Sequence, residues 1–463
     1  MSGIGAIEHT YLYPYASQIV GSADSSLLQL ATSRSGQSFP YFFEGKVTRP
    51  RTAAQLLIAL ARVVSTRYYM PPNMLARVIA ERDPVVTAGG GMLRFEGFSA
   101  CCSTYARVDF DPDGYSGEIV GRGTTNVDFN PALRASLSKV RDTDRLTVSV
   151  GPDELAVKRG FDKIVERKVD LPVRWLKGFV EVQAYQSAME PRFTVDRLEA
   201  IRFLRTLPKT TAPKTTFFVV QAGKGLRLSQ TATKDAVPIT GLQRLQLITT
   251  LVPLADRLKI FAHPSGQASE WQLECGGMTM HVTLTAEVSR GFSGEGQVLS
   301  NLFDADVDQL PKLRAALKWQ SLIDVADLAR QLDLTVEQIR AGLAVLGSRG
   351  VVGYDVNNAS YFHREMPFDL DAVEEMHPRL KNARELVQSG KVKILRRDGD
   401  TIESEVAGTD VNHRVVLKAE QTGGAQCSCP WHSKYQGKRG PCKHVLAAQL
   451  MLAGDEGGDE VQT

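Results

Sequence analysis

The chain has 463 residues, 43% of them hydrophobic and 23% charged, with a formal net charge of +3. This is ordinary for a soluble globular protein of three or four domains. It excludes a whole-molecule field that would draw the chain onto nucleic acid, so any such surface must be local. The opening Met1-Ser2-Gly3-Ile4-Gly5-Ala6-Ile7-Glu8-His9 has no basic region followed by an apolar core and does not read as a signal peptide. No run approaches the ~18 apolar residues of a membrane span. Six cysteines are too few for a disulfide framework at this length, and three of them cluster near one His at the far end. That usage fits a metal site in a reducing, cytoplasmic setting.

In chain order, residues 1–98 read as a mainly helical region after an irregular start. Positions 53–64 are strongly apolar, 74–79 continue in the same style, and Pro71-Pro72 separates them. Gly89-Gly90-Gly91 turns the chain into strand-like sequence at 92–95. The middle then reads as a duplication. Asp144-Arg145-Leu146 recurs as Asp256-Arg257-Leu258, and the pattern Val195-Asp196-x-Leu198-x-x-Ile201-Arg202 recurs as Val307-Asp308-x-Leu310-x-x-Leu313-Arg314, both 112 positions on. Lys177-Gly178-Phe179 recurs as Arg290-Gly291-Phe292, 113 positions on. The expectation is two tandem ββαβββ-like units, 99–209 and 210–307, each with a hairpin, a helix, three strands and a closing helix. That order is similar to DNA sliding-clamp domains, a likeness of fold that does not fix function.

A winged-helix pattern follows at 308–367. Ile323, Ala326, Leu328, Ala329 and Leu332 give one helix an apolar face. Thr335-Val336-Glu337-Gln338 is a capping box opening the next, which Val336, Ile339, Leu343 and Leu346 line. Residues 351–355 and 360–363 form a hairpin around Asn357-Asn358. Residues 368–453 read as a helix and short strands leading into a metal motif, and 454–463 as a disordered acidic tail. The fold class is therefore α+β and multidomain.

The motif is Cys427-Ser428-Cys429 followed by Cys442-Lys443-His444. Three thiolates and one imidazole form a standard closed set for Zn2+, and two cysteines one residue apart can reach one ion from a tight knuckle. Ionisation and binding would order a segment too small to hold a core of its own. With Pro430 after the second Cys, Lys443 within the last pair, and the strand sequences Val406-Ala407-Gly408 and Val415-Val416-Leu417 before it, the region at about 390–450 resembles the SWIM zinc finger. Phe95-Glu96-Gly97-Phe98, Gly123-Thr124-Thr125-Asn126-Val127-Asp128-Phe129 and Arg174-Trp175-Leu176-Lys177-Gly178-Phe179 carry a weaker likeness. They are similar to bacterial SWIM proteins encoded beside a MoxR-type AAA ATPase and a von Willebrand A domain protein. The resemblance implies zinc at Cys427, Cys429, Cys442 and His444, and binding of DNA or protein without choosing between them.

Lys434, Lys438, Arg439 and Lys443 crowd the zinc loop, with Trp431 and Tyr435 interleaved. They suit backbone phosphates and base stacking, or form a solvated loop around a structural metal. His432 is a second candidate ligand that a complete set of four does not need. Asp109-Phe110-Asp111-Pro112-Asp113-Gly114 begins like a calcium loop, but its twelfth position is Val120, so a hairpin turn is the reading. Gly223-Lys224-Gly225 and Gly89-Gly90-Gly91 lack the ending of a phosphate loop, and Cys101-Cys102 sits among apolar residues as core. No zincin, nucleophile-elbow or dinucleotide motif occurs. The expectation is a non-catalytic, zinc-binding scaffold for protein partners, with DNA or RNA possible as a ligand and no membrane. The competing readings are a transcription regulator using the winged helix, and a nucleic-acid-processing enzyme with unrecognised catalytic residues.

Overall fold

The computed structural model describes residues 9–11, 18–22, 25–30, 32–33, 43–69, 84–118, 122–127, 129, 131–150, 169–171, 173–209, 215–292, 309–366, 378–399, 401–418, 425–437 and 440–456. Its centre is a nine-stranded sheet. Two three-strand meanders, Val85–Gly89/Met92–Phe98/Thr104–Phe110 and Arg257–Ala262/Ala268–Glu274/Met278–Thr285, join edge to edge in it. The joint runs antiparallel from Met278 opposite Phe110 to Leu284 opposite Thr104, with His281 opposite Arg107 at its middle. Gly90 (φ +55°) and Gly91 (φ +82°) form the two-residue loop of the first hairpin. Positive φ at both positions is the primed turn that matches strand twist, which explains the glycines.

Strand side chains alternate between faces. One face carries Leu93, Phe95, Val108, Phe110, Trp271, Leu273, Met280 and Val282, all buried in the main core. The helix Pro50–Ser65 packs on this meander. It starts with Pro at a position whose amide needs no partner. The other face carries Arg94, Glu96, Arg107, Asp109, Glu270, Gln272, His281 and Thr283, and these are buried too. Their cover is the helix Val173–Gln186 and the hairpin Val352–Asp355/Ser360–His363.

Residues 309–366 build a separate small core from the helices Leu310–Ala316, Val325–Leu332 and Val336–Ser348 and that hairpin. The elements lie where the apolar spacing puts them. Thr335 Oγ1 accepts from Gln338 N at 3.2 Å and Gln338 Oε1 accepts from Thr335 N at 2.9 Å, so the capping box forms in full. The C-terminal module has the helix Pro378–Gln388, a four-stranded sheet from Val392–Asp398 to Gln426–Cys427, and the helix Lys443–Glu456. No helix among the described residues is long and apolar enough to cross a membrane.

Three expectations need correction. The region 1–98 is mostly strand among its described residues: His9–Tyr11, Gln18–Ser22, Ser25–Leu30, Thr32–Ser33, Phe43–Val47, Val85–Gly89 and Met92–Phe98 flank the helix Pro50–Ser65. Ser25–Leu30 pairs in parallel with Leu146–Val150, a partner too distant for local periodicity to reveal; positions 74–79 lie outside the described residues. The units 99–209 and 210–307 do not share one strand order. Thr104–Phe110 pairs with Met92–Phe98 and Met278–Thr285, whereas Thr216–Ala222 pairs with Gly225–Ser229 and Val237–Thr240. The likeness present is between the meanders, whose strands start at 85, 92 and 104 and at 257, 268 and 278, a spacing of 172–176 and not 112. Lastly, 454–456 continue the final helix, and 457–463 lie outside the described residues.

Candidate metal centre

Backbone geometry places each sulfur. Cys427 ends the short strand paired to Asn412–Lys418, with Val415 opposite it. Ser428 pins the knuckle, its N donating to Arg414 O at 3.0 Å and its Oγ accepting from Arg414 N at 3.0 Å. Cys429 caps the helix Pro430–Tyr435, its Sγ accepting from His432 N at 3.4 Å. Cys442 precedes the helix Lys443–Glu456, its Sγ accepting from Val445 N at 3.5 Å. Amide groups aimed at sulfur favour thiolate over thiol. His444, the second residue of the same helix, brings Nδ1 to 3.9 Å from Cys427 Sγ.

The four ligand atoms all lie within 4.8 Å of one another, and all four residues are buried. Tetrahedral zinc with Zn–S near 2.3 Å requires sulfurs about 3.8 Å apart, so the donor set is the right size as well as the right chemistry. Hydrogen bonding from the Cys427 thiol holds Cys442 down to about 3, while Cys427 itself is pushed far up. Three sulfurs and an imidazole nitrogen brought together in a buried cluster are a donor set shaped for a cation. The residues fit Zn2+. Four protein ligands leave no coordination position for a substrate, which marks the site as structural.

Other candidates of the loop separate. His432 is outside the ligand set and lines an open groove of about 580 Å3 beside Cys427, with Arg414, Gln426, Ser428 and Gln436. Lys434 is exposed and stands 5.3 Å from the Tyr435 ring. Lys443 is half-buried at the helix start. Trp431 is covered by the Arg379 guanidinium at 4.8 Å and by Tyr435, so it is no free stacking platform. Lys438 and Arg439 lie outside the described residues. Cys101 and Cys102 are core, as expected. The turn at Pro112–Gly114 leads to Tyr115–Glu118, which pairs with Phe43–Val47, so it is a turn but not a hairpin.

Sequence motifs did not reveal the buried ionic ladder on the central sheet. His281 sits between Glu270 (Nδ1 to Oε1, 3.0 Å) and Asp109 (Nε2 to Oδ2, 3.2 Å). Burial, the largest influence, and Arg107 favour the neutral ring, but Asp109 and the hydrogen bonds to both carboxylates outweigh them and raise its pKa. Burial would raise Glu270, yet the hydrogen bond and charge of His281, with Arg107, hold it down to about 2. Both ring nitrogens are engaged, so the imidazole is no available base. The folded state therefore keeps a proton that the unfolded His releases near pH 6.5. Stability from His281 is full below that pH and is lost as pH rises through the raised folded pKa. Hydrogen exchange resolved by segment and corrected for the intrinsic rate should show protection of the strands at 104–110 and 268–285 falling from pH 6 to 9, and His281→Gln should remove most of that fall.

Residues 413–452 match the family described as the SWIM zinc finger, and this segment is a SWIM finger. No curated protein matches the chain. Among solved structures, it is similar to the Proliferating Cellular Nuclear Antigen of Entamoeba histolytica, at 11% identity over 53% of this chain and 98% of that one, TM-score 0.35. It is similar also to the PCNA2-PCNA3 complex of Sulfolobus tokodaii, at 9% identity over 53% and 100%, TM-score 0.34. The likeness is weak and distant, and it bears on neither partner nor function.

Proposed function

We propose that this chain is a zinc-dependent, non-catalytic binding scaffold whose SWIM finger holds nucleic acid by its phosphates. The supporting observation is the placement of charge. Residues 378–456 hold 13 Lys and Arg against 9 Asp and Glu, although the whole chain has a net charge of only +3. The basic excess sits on the module whose groove opens between Arg414 and His432. Zinc fixes the backbone on both sides of Lys434 and Lys443, and so where their charges point. Phosphate contacts of this kind supply affinity without reading bases.

The test is fluorescence anisotropy with labelled duplex and single-stranded oligonucleotides across a salt series. Each neutralised phosphate contributes about −0.9 to the slope of log affinity against log salt on duplex, and about −0.7 on single strands. Replacing Lys434, Lys438 and Arg439 by Ala should weaken binding and flatten the slope by up to three such increments, with zinc content unchanged. A parent with no salt-dependent affinity at low ionic strength overturns the reading.

The regulator reading is disfavoured by the surroundings of residues 309–366. In a winged helix, Val336–Ser348 would enter the major groove and the hairpin would be the wing. Here the last half of that helix is buried, with Gly347 against Gln183 of the helix Val173–Gln186. The hairpin lies on Arg107 through Tyr354 O and Asp355. Only the first turns present Glu337, Gln338 and Arg340 outward, with no net charge. The module braces the sheet in this reading. Protein partners, of which the resemblance implies a MoxR-type AAA ATPase and a von Willebrand A domain protein, should co-purify after nuclease digestion. Three ligand thiols suit a reducing compartment such as the cytoplasm.

A further inference from the structure

The strand Gln426–Cys427 is the edge of the four-stranded sheet, beside Asn412–Lys418. Ser428 N donates to Arg414 O at 3.0 Å, which makes 428 and 414 a hydrogen-bonded pair of that ladder. Bonded and non-bonded pairs alternate between antiparallel strands. Cys427 opposite Val415 is therefore a non-bonded pair, and its N–H and C=O point away from the sheet. Cys427 has two aspects. Its sulfur turns to the metal cluster, and its peptide groups face out along the edge, where it lines the groove of about 580 Å3. Neither peptide group makes a hydrogen bond among the described residues.

The helix Pro430–Tyr435 brings His432 to the same groove. Its backbone is fixed, the N–H donating to Cys429 Sγ at 3.4 Å, while its ring is half-buried and outside the ligand set. Val416 and Ala425 add apolar surface, and Arg414 adds charge. Arg414 Nη2 meets Glu403 Oε1 at 2.6 Å, but the arginine is 66% exposed. A pair so open to solvent contributes little and leaves the other guanidinium donors for a phosphate.

We propose that this groove takes one unpaired base of a single-stranded nucleic acid, its Watson–Crick edge on the Cys427 peptide groups and its ring against His432. This rests on the phosphate-binding reading of the finger and adds which nucleic acid it prefers. The N–H and C=O of one residue are a donor beside an acceptor. Every base carries an acceptor beside a donor on its Watson–Crick edge, and in a duplex that edge is occupied by the partner base. An imidazole ring is a stacking surface for such a base. A sheet edge also admits an extended peptide, but strand addition draws on a run of main-chain bonds. Here the strand is two residues long, Cys427 alone of them points outward, and Cys429 already caps a helix. One donor and one acceptor match a base edge, not a strand.

The experiment uses the full-length, zinc-loaded chain and fluorescence anisotropy at one salt concentration. Labelled thymidine and uridine single strands are compared with a duplex of equal length, the two strands telling DNA from RNA. At least one single strand should bind about fivefold or more tighter than the duplex, the lower end for one stacked base. His432→Ala should abolish that preference with zinc content and salt slope as in the parent, and His432→Phe should keep it. A strand of N3-methylthymidine, with the same charge and ring but no donor on that edge, should bind no better than the duplex. In a chain labelled with 15N-cysteine, the Cys427 amide resonance should move on adding the single strand and stay in place with an acidic, extended peptide. Equal affinity for single strand and duplex, or a preference that survives both His432→Ala and the methylated strand, overturns this proposal and leaves the phosphate reading standing. A Cys427 amide moved by the peptide and not by the strand assigns the edge to a protein partner and overturns it too. A parent that binds neither strand nor duplex overturns both readings.

Discussion

Replacing Cys442 by Ala is expected to reduce zinc from one ion per chain to almost none and to unfold the C-terminal module. The reason lies in what that module has for a core. Its buried cluster counts Cys427, Cys429 and Cys442 among its members, packed with Leu380, Ala383, Val415, Leu446 and Ala447. A structural zinc contributes roughly 10–16 kcal/mol at neutral pH. A module of this size holds a net stability of only about 4–12 kcal/mol by size scaling. Loss of one thiolate also leaves two sulfurs and an imidazole crowded together with no cation between them. His444→Ala and a strong chelator should act in the same way. Elemental analysis gives the zinc content, and Trp431 fluorescence reports the local unfolding, since that ring packs under Arg379 only while the helices hold. The sheet strands at 85–110 and 257–285 should keep their hydrogen-exchange protection, because their core is separate. Zinc content equal to that of the parent in either variant would remove the assignment.

The Cys3His cluster was legible because its information is local. Two Cys-x-Cys or Cys-x-His pairs within eighteen positions need no distant partner to be recognised, and the ligand chemistry restricts the alternatives. The capping box Thr335-Val336-Glu337-Gln338 was legible for the same reason, since both its hydrogen bonds close within four residues. What failed depended on distance. Ser25–Leu30 becomes a strand by pairing with Leu146–Val150, and nothing near residue 25 states that. The short matches at a spacing of 112 pointed to a repeat, but strand pairing follows the meanders at 172–176. Residues 92–95 read only as strand-like sequence, and nothing near Leu93-Arg94-Phe95-Glu96 states what covers Arg94 and Glu96. The structure buries both faces, and the cover arrives from residues 173–186 and 352–364. Asp109 and Asp111 were noticed as a failed calcium loop. The residues that line a cavity with them, Gln272, His281 and Asp355, come some 160 to 250 positions later, so sequence could not assemble it.

Arg364→Met should loosen the 309–366 module from the sheet at a cost of about 3–5 kcal/mol, the range for removing one partner of a buried ion pair. Arg364 Nη1 donates to Glu96 Oε2 at a site where both side chains are almost fully buried, and Tyr105 OH donates to the same oxygen at 2.7 Å. Its guanidinium also lies 4.9 Å from the centre of the Phe179 ring. Methionine keeps much of the volume but leaves Glu96 as a buried carboxylate served by one phenol. The double variant Glu96→Gln/Arg364→Met should recover most of the loss, because it removes the stranded charge along with its partner. A chain of several modules has no single unfolding midpoint, so the proper readout is hydrogen exchange resolved by segment. Protection should fall at 352–355, 360–363 and 92–98 in the single variant and return in the double, while 401–418 stays unchanged. If the single variant keeps its protection at those strands, the module is held by its apolar contacts, and the buried ionic face contributes register without strength.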